Sequence, residues 1–160
     1  MYNTLLGLSR NIYFYKNLKL PDKFETRVYL MFIHFSIILI IFKNKSVEFN
    51  QKVYDSLFNN IENNLRELGY GDVAVNKKMK DLNKILYDIL LKIFIENDQN
   101  IQINEKLILK YFRDLDKYEN NSNLLKIKSY FLEFYNFCFE QPLDNVIRDA
   151  IKFKKTYGST

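Results

Sequence analysis

Residues 64–82 read NLRELGYGDVAVNKKMKDL, a sequence in which two glycines separate two helical patterns. Gly69 and Gly71 are two of only four glycines in the chain. Gly69 follows a pattern that ends in leucine, and glycine suits the left-handed position at which helices end. Gly71 is expected to adopt a second unusual backbone angle, and Asp72 to accept hydrogen bonds from the amides that open the next helix. The stretch therefore predicts a tight turn between two helices.

Apolar residues on both sides of this turn recur at helical spacing. The upstream set is Val53, Leu57, Ile61, Leu65 and Leu68, and the downstream set is Val75, Met79, Leu82, Leu86, Ile89 and Ile93. Steps of three and four residues place each set on one face of a helix. Because the connection is short, the two helices are expected to pack antiparallel.

The same spacing continues through most of the chain, and it breaks where turn residues cluster. Six or seven helices follow: residues 3–17, residues 22–42, one capped by Ser46, one after the glycine turn, residues 105–118, residues 124–140 and a last one opened by Pro142. With only 4 glycines and 2 prolines, a turn-rich all-β fold is disfavoured. No repeat and no long linker interrupts the pattern. The prediction is a single compact all-α domain over residues 1–160.

The most apolar run is VYLMFIHFSIILIIF at residues 28–42. It has fifteen residues, whereas a bilayer span needs about twenty, and it contains His34 and Ser36. A central buried helix is therefore predicted, and a helix that lies on a membrane or binds a partner is the alternative.

Charge and cysteine content restrict the partners and the compartment. The net charge of +5 favours an anionic partner. Cys138 is the single cysteine, which excludes an intramolecular disulfide and a cysteine-based zinc site and fits a reducing compartment.

Motifs for catalysis and cofactor binding are incomplete. The third glycine of a dinucleotide-binding GxGxxG pattern falls on Ala74, and the phosphate-binding GxxxxGK[ST] pattern fails as well. One histidine and scattered acids do not make a metal site, and His34 has no carboxylate one helical turn away to orient it as a base. The sequence thus predicts no enzyme, no metal and no cofactor.

A lysine cluster follows the glycine turn. Lys77, Lys78 and Lys80 lie near the predicted positive end of a helix, where cations are unfavourable unless an anion binds. An RNA phosphate, a lipid head group and an acidic protein surface all remain open as that anion. The partner- or anion-binding candidates are the polar and glycine residues of this region: Arg66, Gly69, Gly71, Asp72, Lys77, Lys78 and Lys80.

A second candidate surface is the aromatic run SYFLEFYNFCFE at residues 129–140. It holds more apolar positions than one buried stripe needs, so one face is predicted to contact a hydrophobic partner through Tyr130, Phe134 and Phe137. The alternative is a helix buried on most of its sides.

Two of these segments carry a family resemblance. Residues 65–72, LRELGYGD, followed by Val75 and KKMK at residues 77–80, resemble the LRE-x-G-x-GD…V-x-KK-x-K signature of the ubiquinol-cytochrome c chaperone family. Upstream, Phe14-Tyr15, Leu20-Pro21-Asp22, Arg27 and His34 resemble the FY…VPD…R…LH segment of that family. The two matches keep the family order and span about residues 14–87.

The resemblance implies a non-catalytic, all-α assembly factor for respiratory complex III that binds newly made cytochrome b, another complex III subunit or a similar hydrophobic membrane segment. It further implies a small companion protein, the ribosome and an anionic membrane surface as partners, and no DNA. The short chain without a presequence suggests a bacterial protein in the cytoplasm, peripherally associated with the inner membrane, or one on the matrix side if it is mitochondrial.

Two alternative functions stay open beside the chaperone. The net charge and the lysines also fit a basic ribosome- or RNA-binding module without a chaperone role, whose binding would depend steeply on salt. A closed apolar pocket near His34 would instead indicate a small-ligand enzyme or a lipid carrier.

Overall fold

A computed structural model of the chain describes residues 1–97, 100–117 and 122–158, and helices make up most of them. The α-helices are α1 (Tyr2–Ser9), α2 (Phe24–Asn44), α3 (Gln51–Glu67), α4 (Asp72–Lys92), α5 (Glu105–Tyr111), α6 (Ser122–Glu140), α7 (Leu143–Asp149) and α8 (Lys154–Tyr157). A π-helical turn (Tyr13–Asn17) and two 3-10 turns (Arg113–Lys117 and Ala150–Phe153) supplement them. The mostly helical class predicted from the sequence is confirmed.

The apolar run predicted to be a core helix forms the centre of the molecule. α2 packs against α1, α4, α6 and α7, and side chains around most of its circumference are buried. Its 21 residues and its mean hydropathy of 1.7 would also be enough to cross a membrane, but 67% of that apolar window is buried inside the fold. Burial on this scale confirms the prediction of a central core helix.

The only histidine of the chain joins α2 to α6 inside the core. His34 Nδ1 donates to the carbonyl of Leu30 at 2.7 Å, which leaves Nε2 to accept a bond from the Tyr130 hydroxyl at 2.9 Å. The rings of Phe14 and Phe134 stand edge-on to the imidazole. Burial lowers the pKa of His34 to about 4, although the bond to Leu30 opposes that shift. His34 is therefore a neutral core residue, which agrees with the absence of a base-orienting carboxylate in the sequence.

A short β-hairpin after α4 departs from the purely helical prediction. β1 (Phe94–Asn97) pairs antiparallel with β2 (Asn100–Ile103), with Phe94 opposite Ile103. The sequence predicted only a break between helices at residues 97–100. Strands of four residues are too short for a period-two pattern to stand out from the helical pattern beside them. Residues 98–99, which separate the two strands in the sequence, lie outside the described residues.

Several predicted helix limits are also wrong. Asn50, not Ser46, caps α3, since its side chain accepts the Lys52 amide at 3.0 Å, while Ser46 has a positive φ of 56°. The predicted first helix stops at Ser9 and resumes as the π-helical turn, because the Asn11 side chain accepts the Tyr13 amide at 3.1 Å and redirects the backbone.

The predicted fifth and last helices differ in their limits too. α5 ends at Tyr111 and a 3-10 turn follows, while residue 118, the predicted end, lies outside the described residues. Pro142 precedes α7 as its N-cap, and the helical path then continues through a 3-10 turn to Tyr157.

The C-terminal segment returns to the N-terminal helix. α1 contacts the 3-10 turn Ala150–Phe153, and the approach is close at Gly7. A Cβ atom on Gly7 would lie 2.7 Å from Ile151 Cδ1. The two ends of the described chain therefore complete one side of the core together.

Candidate functional site

Only one of the two glycines in the turn has the unusual backbone angle predicted from the sequence. Gly69 has a φ of +94°, a region that side chains disfavour, and it ends α3. Gly71 has φ −74° and ψ 167°, which any residue adopts. The prediction of a second unusual angle at Gly71 is thus wrong, because an extended residue is what the start of α4 requires.

Arg66 and Asp72 close the turn with an ion pair. Arg66 Nη1 donates to the Asp72 carboxylate, and Nη2 donates to Glu62 at 2.8 Å. Asp72 is the first residue of α4, and the N-cap of that helix, Gly71, has no side chain to cap it. The expectation that Asp72 bonds the opening amides of α4 is therefore corrected: its carboxylate turns back to the guanidinium across the turn.

Apolar side chains around the two glycines point into solvent. Leu68 is 60% exposed, Val73 is 86% exposed and Tyr70 is also exposed. No atom lies within 4 Å of where a Cβ would stand on Gly69 or Gly71. The turn thus stands clear of the rest of the domain and presents three apolar side chains within six residues.

The lysine candidates adjoin this turn but do not form one cluster. Lys78 Nζ lies over the Tyr70 ring, 4.7 Å from its centroid, and is half-buried. Lys77 and Lys80 are exposed, and spacings of four and seven residues put them on the same face of α4 as Val73. Two lysines therefore face solvent beside an apolar tip, while the third covers an aromatic ring.

A groove of about 530 Å³ lies beside the turn, between α1, the start of α2 and the end of α3. Its apolar lining comes from all three helices, and its polar rim consists of two arginines, an amide and a carboxylate. The lining residues are Tyr2, Leu6, Arg10, Phe24, Arg27, Val28, Met31, Ile61, Asn64, Glu67 and Leu68. The groove and the turn are continuous, since Leu68 belongs to both.

The two arginines of the groove also face a shallower depression of about 430 Å³. Arg27 Nε lies 3.1 Å from an Asp22 carboxylate oxygen, which joins two residues of the upstream motif. The Tyr15 hydroxyl donates to the carbonyl of Ser9 at 2.6 Å. Burial raises the pKa of Tyr15 to about 12, and the nearby Asp22 adds to that shift. The upstream motif thus builds the end of the groove at which Arg10 and Arg27 stand.

The aromatic candidates on α6 belong to the core. Tyr130 and Phe134 are fully buried, and Phe137 is half-buried with its ring 5.5 Å from that of Phe153. The C-terminal turn Ala150–Phe153 covers the side of α6 that the sequence left unpartnered. The partner-face hypothesis is therefore corrected for Tyr130 and Phe134, and the alternative of a helix buried on most sides describes α6.

Sequence reasoning missed the contribution of α1 to the groove. Tyr2, Leu6 and Arg10 line it, yet the first helix was expected only to dock on the core. Their spacing of four residues places all three on one helical face, which was the available signal. Among the described residues, no group of three or more His, Cys, Asp and Glu side chains could hold a metal ion.

Comparison with known proteins places these features in a family. No curated protein and no solved structure matches the chain. A family model described as ubiquinol-cytochrome C chaperone matches residues 16–96, which is more than half of the 160 residues. The matched segment contains Asp22, Arg27 and the entire glycine turn. The chain therefore belongs to the ubiquinol-cytochrome C chaperone family.

Proposed function

We propose that this protein is a non-catalytic assembly factor for complex III that holds newly made cytochrome b, or a similar hydrophobic membrane segment, in the groove between α1, α2 and α3. It acts at the cytoplasmic face of the inner membrane in a bacterium, or at the matrix face in a mitochondrion. A small companion protein and the ribosomal exit are further partners of the same proposal.

The observation that carries this proposal is the coincidence of the family match with the groove. Of the three helices around the groove, α2 and α3 lie wholly within residues 16–96. These two helices supply the apolar floor through Val28, Met31 and Ile61. A binding function common to a family requires that the matched segment itself carries the binding surface.

The lining chemistry fits a hydrophobic polypeptide. An open apolar groove of about 530 Å³ accommodates several side chains of an unfolded segment. Its rim offers donors at Arg10, Arg27 and Asn64 and an acceptor at Glu67. A membrane segment that has not yet reached the bilayer has unpaired backbone groups, and these rim side chains can bond them.

The experiment is affinity purification of the tagged protein from its own membranes in mild detergent, with the Leu68→Asp variant beside the wild type. Leu125→Asp is the matched control, because Leu125 on α6 is 61% exposed against 60% for Leu68 and does not line the groove. We expect cytochrome b or another complex III subunit to co-purify with the wild type and the control, and to be lost with Leu68→Asp.

Three other results would contradict the proposal. Equal loss from both variants would mean that the groove has no special role. Recovery of ribosomes alone, sensitive to salt and unaffected by Leu68→Asp, would favour the RNA-binding alternative. If neither complex III subunits nor ribosomes are recovered, this chain does not perform the function that its family suggests.

A further inference from the structure

We propose that the glycine turn and the basic face of α4 form a docking surface for an anionic lipid bilayer, with Tyr70 and Val73 inserted at the level of the head groups. We call this surface the lipid-docking tip, and define it as Tyr70, Val73, Lys77, Lys80 and Lys84. The inference stands apart from the client role, because it concerns lipid binding by this chain alone.

The apolar part of the tip is placed for shallow insertion. Val73 is 86% exposed on the first turn of α4, and the Tyr70 ring is exposed three residues after the end of α3. Open space around both glycines lets the turn approach a flat surface without contact from other elements. Tyrosine is enriched at membrane interfaces, where its ring lies among acyl chains and its hydroxyl among head groups.

The basic part of the tip lies on the same face of the same helix. Lys77, Lys80 and Lys84 follow Val73 by four, seven and eleven residues, which is the spacing of one helical stripe. All three side chains are exposed. Lysine near an anionic leaflet gains electrostatic attraction, and its long stem lets it stay with the phosphates while the apolar tip inserts.

Acidic groups near the turn do not neutralise the positive charge of this face. Asp72 and Glu62 both bond Arg66, so these three charges sum to a single negative charge held within the turn. Glu67 lines the groove. Asp81 is exposed and lies beside Lys78 in a separate depression with Leu82 and Ile85, next to the lysine stripe.

The combination favours a lipid surface over RNA. RNA binding uses phosphate contacts and stacking on aromatic rings, and neither requires an exposed aliphatic side chain at the centre of the contact. Here the most exposed large hydrophobic side chain, that of Val73, begins the lysine stripe.

Helix geometry predicts how much each lysine of α4 contributes to membrane binding. At a rise of 1.5 Å per residue, Lys77 lies about 6 Å from Val73 along the axis, Lys80 about 10 Å and Lys84 about 16 Å. Screening at about 0.1 M salt limits attraction to roughly 10 Å. If the turn meets the bilayer first, charge reversal should weaken binding most at Lys77 and least at Lys84.

The test is sedimentation of the full chain with vesicles of phosphatidylcholine containing about a third phosphatidylglycerol, in comparison with pure phosphatidylcholine. We expect binding to the anionic vesicles only. Val73→Asp should weaken this binding about tenfold, because it removes the apolar contact that Val73 would bury in the bilayer. Leu91→Asp is the matched control, because Leu91 is 78% exposed on the same face, about 27 Å further along the helix. We expect it to bind as the wild type does.

The charge test compares two triple variants with the same net charge. Lys77→Glu/Lys80→Glu/Lys84→Glu changes the stripe, whereas Lys43→Glu/Lys106→Glu/Lys126→Glu changes three exposed lysines on α2, α5 and α6. Only the stripe variant should abolish binding. Equal loss from both triples would overturn the proposal, because net charge alone would then explain it.

A fluorescence experiment reports insertion directly, because the chain contains no tryptophan. Tyr70→Trp introduces a single fluorophore at the turn, and Tyr87→Trp introduces one at another exposed tyrosine on α4. With anionic vesicles we expect a blue shift, and quenching by brominated acyl chains, for Tyr70→Trp only. A shift at neither position, or an equal one at both, contradicts insertion of the turn. Vesicle binding that survives Val73→Asp and requires only the lysines would also contradict insertion, because the contact would then be purely electrostatic.

Discussion

The Tyr130 hydroxyl on α6 donates a hydrogen bond to His34 Nε2 on α2, with 2.9 Å between the two atoms, and both side chains are completely buried. Nδ1 of the same imidazole is occupied by the carbonyl of Leu30. Every polar atom of the histidine side chain is therefore bonded inside an aromatic core, and the pair fixes the position of α6 relative to the central helix.

Removing the Tyr130 hydroxyl should destabilise the fold out of proportion to its size. Tyr130→Phe leaves His34 Nε2 buried without a donor, and we expect a loss of about 1–3 kcal/mol in the free energy of unfolding by urea. Tyr135→Phe is the matched control on the same helix, because the Tyr135 hydroxyl only receives a long bond of 3.4 Å from Asn44. Equal losses from the two variants would show that the His34 bond has no special weight.

Acid should weaken the protein through the same histidine. The pKa of His34 is about 4 in the folded chain against its usual 6.5, so the unfolded chain binds one more proton between those values. Stability should therefore be full above pH 6.5 and fall as the pH approaches 4, by about 3 kcal/mol at 1.36 kcal/mol per pH unit. Urea unfolding at pH 7 and pH 4.5 measures this loss.

A variant without an imidazole separates this effect from the carboxylates, which also protonate in acid. His34→Gln keeps an acceptor for Tyr130 and has no group that titrates near neutral pH. We expect its stability to change much less between pH 7 and pH 4.5. The assignment is unambiguous because His34 is the only histidine in the chain. A pH dependence as steep as that of the wild type would refute it.

The two glycines of the turn should respond differently to the same substitution. Gly69→Ser places a side chain at φ +94°, and we expect it to cost about 1–2 kcal/mol. Gly71→Ser meets no steric conflict at φ −74° and provides a good N-cap for α4, so we expect a gain of up to about 1 kcal/mol. Thermal unfolding of both variants gives the comparison, and opposite signs are the expected result.

Asp88 should stabilise the junction between α4 and α5. It receives bonds from Lys92 at 2.5 Å, Lys110 at 2.7 Å and the Tyr111 hydroxyl at 2.5 Å. Burial raises the pKa of Asp88, but these three bonds outweigh it and hold the pKa well below the usual value. Both lysines are about half exposed, so we expect Asp88→Asn to cost only about 1–2 kcal/mol at pH 7.

The pH dependence of that loss has a definite sign. Because the folded pKa is depressed, the stabilisation is present above pH 3.8 and declines as the pH falls below that value. The difference between wild type and Asp88→Asn in urea unfolding should therefore shrink steadily below pH 3.8 and disappear only as the pH falls through the depressed folded pKa. Asp81→Asn, at an exposed carboxylate of the same helix, is the control and should change stability by less than about 0.5 kcal/mol.

Helical periodicity predicted the main helices because their apolar stripes are long. Val75, Leu82 and Ile89 on α4 repeat through about four turns and are all buried, and the apolar run of α2 is buried as expected. The hairpin was not predicted because strands of four residues show almost no alternation of apolar and polar residues. The sequence predicted the wrong N-cap for α3 because serine and asparagine are both good N-caps. The backbone angles of the structure distinguish Ser46 from Asn50.

The residues of the candidate site that are close together in the sequence were predicted, whereas the contacts between distant segments were not. Gly69 and Lys77 lie within a few residues of each other, so the sequence already placed them together. The groove instead joins Arg10 to Glu67, two residues from different helices, and no local pattern specifies such a meeting. The burial of Tyr130 likewise depends on residues 150–153, which lie at least twenty positions away. An aromatic surplus on one helix was therefore mistaken for a free surface.

The contact between Gly7 and Ile151 means that the order of synthesis and the order of packing disagree. α1 is made before that segment, and one of its sides stays uncovered until residues about 140 positions later have emerged. During that interval the side of α1 around Gly7 lacks the cover that Ile151 provides. A protein proposed to shelter an unfinished membrane subunit thus has an incompletely packed core of its own until residues 150–153 have been made.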